Sequence, residues 1–198
     1  LSILEESNCI GQETGWVINF LTLQKNGELK IVAPCFLKFH SYGEYVFDWA
    51  WAEAFHRSGV QYYPKLVFAS PFTPISGARL LGNSTSSEID IFRCGIESWC
   101  RENSLPTAHI LFCHEKVIGV FKKKEWVTRK TIQFHWKNMN FESFDDFLSS
   151  LQQKKRKKIN SERKKISEKK IFCRVLNGEQ IRIAHLEFVY KCYRNTYA

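Results

Sequence analysis

Long apolar runs are missing from this 198-residue sequence, and none approaches the ~18 residues that a membrane-crossing helix needs. No basic stretch followed by an apolar core opens it, so no secretory leader is expected. C-x-x-C is absent as well. The seven cysteines form an odd set, most of them inside apolar runs where a thiol packs as a small hydrophobe. That usage argues against a disulfide scaffold and for a reducing, cytoplasmic setting. A P-loop, a G-x-G-x-x-G turn, H-E-x-x-H and G-x-S-x-G are all missing, which removes the enzyme classes built on them. No closely spaced Cys/His set predicts a metal site.

What is present suffices for a folded domain, since 44% of the residues are hydrophobic and 15% aromatic. The net charge of +9 is concentrated in one place. Between Lys154 and Lys170, ten Lys or Arg stand against two acids, Glu162 and Glu168. Such a segment is either a solvated helix face or a surface for an anionic partner such as RNA, a nucleotide-linked substrate or an acidic membrane.

Along the chain, strand and helix patterns alternate. Trp16 to Leu23 and Lys30 to Phe39 read as strands around an Asn26-Gly27 hairpin turn. Asp48 is placed to cap a short helix through Phe55, and a third strand is expected from Lys65 to Ser70. Ser86 or Ser87 is expected to cap a helix whose inner stripe is Ile89, Phe92, Ile96, Trp99 and Cys100. A strand from Ala108 to Cys113 and a helix from Glu115 to Lys124 follow. Strict alternation from Thr131 to Trp136 predicts another strand. Ser143 heads a long helix, Asn177-Gly178 suggests a second hairpin between Cys173–Val175 and Gln180–Ala184, and Leu186 to Tyr197 reads as an amphipathic helix. The fold class is mixed α/β.

Aromatics crowd the stretch from Tyr42 to Trp51, and Tyr62-Tyr63-Pro64-Lys65 and Pro71-Phe72-Thr73-Pro74 follow. Packing accounts for the rings, but the polar residues among them (Tyr42, Glu44, Asp48, Lys65, Thr73 and Arg79) suggest a cleft wall. Gln133 and His135 project from the polar face of the Thr131 strand, where His135 is either a structural histidine or a base near neutral pH. His109 lies in an apolar strand and is assigned to the core.

The segments YGEYVFDWAW (42–51), YYPKL (62–66), PFTPISGARLL (71–81), QFHWKN (133–138) and FDDFLSSL with KKRKKINSER (144–163) resemble the signatures of FemAB-like predicted N-acyltransferases. That family is described as peptidoglycan biosynthesis or recognition proteins and is related to the GNAT fold. The resemblance spans the sequence. It implies a GNAT-like, mainly antiparallel sheet flanked by helices, organised as an acyltransferase lobe over 1–142, a basic connector over 143–172 and the start of a second lobe over 173–198. By this comparison the beginning of the first lobe and most of the second lie outside the sequence.

The resemblance also implies transfer of an acyl or aminoacyl group from acyl-CoA or aminoacyl-tRNA to the amine of a small-molecule or peptide acceptor. His135 and Glu44 are then the candidate proton acceptors, Tyr42, Asp48, Lys65, Thr73, Arg79 and Gln133 the substrate-binding set, and Lys154, Lys155, Arg156, Lys157 and Lys158 the tRNA contacts. Of the GNAT pyrophosphate loop [R/Q]-x-x-G-x-[G/A], Pro74 to Arg79 keeps only the glycine. Two other readings stand beside this one: a non-catalytic module that recognises a peptide or cell-wall precursor, and a basic RNA-binding protein.

Overall fold

The computed structural model describes residues 1–46 and 48–197, without the side chain of Tyr197; Phe47, part of the aromatic run, lies outside the described residues. The chain divides into two compact units, 1–131 and 132–198.

The first unit is built on a four-stranded mixed sheet in the order β1-β2-β3-β4. Strands β1 (Trp16–Lys25) and β2 (Glu28–Lys38) form the expected antiparallel hairpin. Its two-residue turn has Asn26 at φ 52 and Gly27 at φ 77, the left-handed pair that matches strand twist and that Asn-Gly accepts at low cost. Strand β3 (Lys65–Phe68) pairs antiparallel with β2, and β4 (Ala108–Ile110) runs parallel to β3. A parallel neighbour requires a crossover, which the 17-residue helix α3 (Ser86–Glu102) provides. Outside this sheet lie the short helices α1 (Ser2–Glu6), α2 (Trp49–Arg57) and α4 (Glu115–Lys122).

Period-two alternation assigns the two faces. Ile31, Ala33 and Cys35 of β2 and Leu66 and Phe68 of β3 point one way and pack on Ile89, Phe92 and Ile96 of α3 and on Val117 and Phe121 of α4. Helix α3 is headed by Thr85 rather than a serine, because Glu88 three residues later completes a capping box. Thr85 Oγ1 accepts from the Glu88 amide at 3.2 Å, and the Glu88 carboxylate accepts from the Thr85 amide at 2.8 Å. The opposite face carries a smaller apolar cluster of Ile10, Trp16 and Phe36, and beyond it a row of polar side chains.

In the second unit, the long helix expected from Ser143 is two helices, α5 (Phe144–Ser149) and α6 (Gln153–Glu168). Ser143 caps α5 as expected, accepting from the Asp146 amide at 3.1 Å. At the end of α5, Ser149 and Ser150 donate their hydroxyls to the carbonyls of Asp146 and Phe147, local bonds that accompany the end of the helix. The expected strand at 131–136 is not formed, and Ile132, Phe134 and Trp136 are 84%, 94% and 69% exposed. Alternation specifies a half-buried strand only where a neighbouring strand exists to pair with it, and the described part of this unit contains none. Nor is there a hairpin at Asn177-Gly178. The Asn177 side chain accepts from the Gln180 amide at 3.2 Å, caps a single 3-10 turn, and helix α7 (Ile183–Tyr197) follows. Among the described residues no helix is long and apolar enough to cross a membrane.

Ile96 is fully buried between α3 and the sheet, so Ile96→Ala is expected to lower unfolding free energy by about 2–5 kcal/mol, measured by urea denaturation.

Candidate functional site

Strand β2 ends at Lys38 and β3 begins at Lys65, and these two residues are directly paired in the antiparallel register. The intervening chain, 39–64, therefore leaves and re-enters the sheet at the same end. Trp16 is the partner of Lys38 on β1, so Trp16, Lys38 and Lys65 form one row across three strands on one face. Both lysines are fully buried. Two like charges directly opposite each other are destabilising, and burying them adds a desolvation cost.

The excursion supplies what offsets that cost. Lys65 Nζ donates to Glu44 Oε2 at 2.9 Å, to Asp48 Oδ2 at 2.5 Å and to Ser41 Oγ at 2.8 Å. The carboxylate side chains are 1% and 4% exposed. Tyr62 donates its hydroxyl to Asp48 Oδ2 at 2.7 Å, and the Tyr62 and Tyr63 rings lie 5.2 and 5.6 Å from the Lys65 ammonium. His109 Nε2 lies 3.1 Å from Thr107 Oγ1 and 3.3 Å from the Tyr62 oxygen. Burial and the positive charge of Lys65 push the His109 pKa down to about 4, so the ring is neutral.

Lys38 has a different environment. Its Nζ sits 3.6 Å from the centre of the Trp16 ring, donates to the Tyr42 carbonyl at 3.2 Å and meets His40 Nδ1 at 3.3 Å. The tautomer of His40 follows from its other contacts. Nε2 faces the Thr14 carbonyl at 2.8 Å and must donate, which leaves Nδ1 to accept from the Tyr42 amide at 3.1 Å and from Lys38. Burial lowers the Lys38 pKa to about 7, with Glu44 opposing and Lys65 reinforcing the shift.

The two carboxylates are pushed in opposite directions. Burial raises Glu44 above the usual carboxylate range despite Lys65. For Asp48 the effect of burial is outweighed, with hydrogen bonds from Lys65 and Tyr62 among the opposing causes, and its pKa falls. Each has spent one oxygen, while Glu44 Oε1 and Asp48 Oδ1 are buried with no hydrogen-bond partner. Unpartnered buried carboxylate oxygens beside groups with separated pKa values mark a candidate chemical site.

The loop over this cluster is conformationally specialised. Tyr45 and Phe72 both occupy the left-handed region, at φ 56 and 57, where bulky residues are strained. Gly43 at φ 79 has no room for a side chain, since a Cβ there would lie 2.7 Å from the Phe72 ring. Tyr42, Tyr45, Trp49 and Trp51 are exposed around it, with Tyr42 and Trp49 in ring contact at 5.1 Å.

Of the residues singled out in the sequence, Glu44, Asp48 and Lys65 come together at the centre, and Tyr42 lies at the rim. Thr73 is half-buried and donates to the Pro71 carbonyl at 3.0 Å. Arg79 lies in a separate depression of about 190 Å³ with Pro34, Ser70 and Leu81, and its guanidinium donates to the Leu111 and Ile75 carbonyls at 2.8 and 2.6 Å, bracing the 75–79 segment. Gln133 and His135 belong to the second unit, both exposed, with His135 Nε2 donating to Gln133 Oε1 at 3.0 Å. Lys154, Lys155, Lys157 and Lys158 are exposed on α6, and Arg156 is half-buried and reaches the Ser149 carbonyl at 3.3 Å. The sequence reading missed Lys38, Ser41 and Tyr62 and placed His109 in the core.

Lys38 provides a test. A group whose folded pKa lies below its unfolded value binds fewer protons in the native state, so stability rises with pH between the two. From its ordinary 10.5 and its folded value of about 7, the contribution is a rise of about 1.4 kcal/mol per pH unit in that window. Lys38→Met is expected to remove that rise, as read by urea unfolding at pH 7, 8 and 9.

Nothing matches among the curated proteins, and no solved structure matches. A family model does, over residues 1–198, and its description is peptidoglycan biosynthesis/recognition. With the match covering the whole sequence, the chain belongs to the FemAB-like family.

Proposed function

We propose that the chain carries the acceptor site of an N-acyltransferase that moves an acyl or aminoacyl group onto an amine, with a peptidoglycan precursor as acceptor. The observation that carries this reading is the Lys65 clasp, in which two carboxylates of opposite pKa tendency each keep one oxygen for a ligand. Membership of a peptidoglycan biosynthesis/recognition family supports the acceptor class.

The reaction makes few demands. The amine must lose a proton, its nitrogen forms a C–N bond with the donor carbonyl, and the C–O or C–S bond to the donor breaks. Of the two protons the ammonium sheds, one passes to Glu44 and then to solvent, and the other leaves on the donor alcohol or thiol. Glu44, with its raised pKa, is suited to the first role, and ionised Asp48 to holding the amine. Glu44 Oε1 is buried, so meeting a substrate amine requires the 42–46 loop that carries it to move. Arg79 and Thr73 remain proposed contacts for more distant parts of a substrate; in the second unit, His135 remains a proposed base and Gln133 a proposed ligand contact, each within that unit.

For the donor, aminoacyl-tRNA is the reading we favour over acyl-CoA. Helix α6 buries none of its residues, and its contacts to Glu162 and Glu168, at 3.9 and 3.8 Å, neutralise little of the charge available to phosphates. Two rival readings make different forecasts: a recognition module binds precursor without turnover, and an RNA-binding protein retains RNA whatever happens at Glu44.

Glu44→Gln is expected to reduce transfer from charged tRNA to an amine-bearing precursor by roughly 10²–10⁴-fold with unchanged circular dichroism. Wild-type turnover in that variant would remove Glu44 from the mechanism. Reversing Lys155, Lys157 and Lys158 is expected to flatten the salt dependence of tRNA binding by about 0.9 per lost contact if the helix meets paired phosphates.

A further inference from the structure

We propose that Glu44 and Asp48 form a binding site for one primary ammonium group, held through the two oxygens that Lys65 leaves unbonded. The proposal rests on the acyl-transfer reading for its biological sense, since the ammonium is then the acceptor before it loses its proton. Its physical basis is independent of that reading.

The chemistry of the occupant follows from what already surrounds the carboxylates. With both carboxylates ionised, Glu44 Oε1 and Asp48 Oδ1 are buried acceptors, so the group that meets them must be a donor. Two carboxylates against the single ammonium of Lys65 leave one negative charge, which a monovalent cation cancels. A divalent metal would overcompensate and would repel Lys65, bonded to the same carboxylates at 2.5 and 2.9 Å. A guanidinium presents a rigid planar fork, whereas the cluster already accommodates a compact three-donor ammonium between these acids and the Tyr62 and Tyr63 rings.

Lys38 couples the site to pH. From β1 it is faced by Trp16, from β3 by Lys65, and from the loop by His40, Glu44 and the Tyr42 carbonyl; Asp48, Tyr62, Tyr63 and His109 complete the wall around Lys65. With Lys38 protonated the cluster is neutral and has no charge to offer. With Lys38 neutral it is an anion. Binding an external ammonium and protonating Lys38 are therefore competing events, and occupancy expels a proton.

An NMR titration of the full chain with methylammonium chloride, following the side-chain carboxyl ¹³C signals of Glu44 and Asp48, tests this. Expected are saturable shifts in both signals, none with tetramethylammonium or sodium chloride, and up to about tenfold tighter binding at pH 8 than at pH 6. Lys38→Met should abolish that pH dependence, and Asp48→Asn should abolish saturation. Equal response to tetramethylammonium, or pH dependence that survives Lys38→Met, would overturn the proposal. Saturable methylammonium binding in a protein that transfers no acyl group would uphold the site and sink the transferase reading. Turnover without any such binding would do the reverse.

Discussion

The carboxylate cluster on the polar face of the sheet is organised by the three hydrogen bonds of one buried ammonium, that of Lys65. They help to fasten the 39–64 excursion, whose helix α2 buries none of its residues. With them, a loop carrying Ser41, Glu44 and Asp48 is tied to the start of β3 in one geometry. A buried ion pair is rarely a net source of stability compared with apolar packing, because desolvation consumes most of the Coulomb gain. Its presence here, with two carboxylate oxygens unpaired, fits a site kept for chemistry at a stability cost borne by the apolar face beneath α3 and α4.

The antiparallel pairing of β2 with β3 explains why the cluster is where it is. Register places Lys38 opposite Lys65, so the fold cannot bury one without the other. The protein resolves the repulsion by giving the two lysines different partners. Lys65 receives the carboxylates, and Lys38 receives an aromatic face, a carbonyl and an imidazole nitrogen, while burial lowers its pKa to about 7.

Local chemistry was readable from the sequence where a single interaction decides the outcome. The Asn26-Gly27 turn, the apolar stripe of α3 and the Ser143 cap belong to this class. Glu44, Asp48 and Lys65 were also visible, as polar residues amid rings. Lys38 was not, because a lysine closing an apolar strand looks like a solvated strand end, and only the register with β3 reveals that it is enclosed. Tyr62 and His109 were hidden by the same limitation: the hydrogen bond that links them spans 47 positions in sequence. The strand expected at 131–136 illustrates the converse, a correct alternation with no described neighbour to pair with.

Replacing Lys65 by methionine removes the ammonium that Glu44, Asp48 and Ser41 share. If Lys65 is the fastening point, Lys65→Met leaves Glu44 and Asp48 buried without their counter-ion, and urea denaturation at pH 7 should register a loss of about 3–5 kcal/mol. Wild-type stability in that variant would mean that the clasp holds nothing together, and the account of the site built on it would fail.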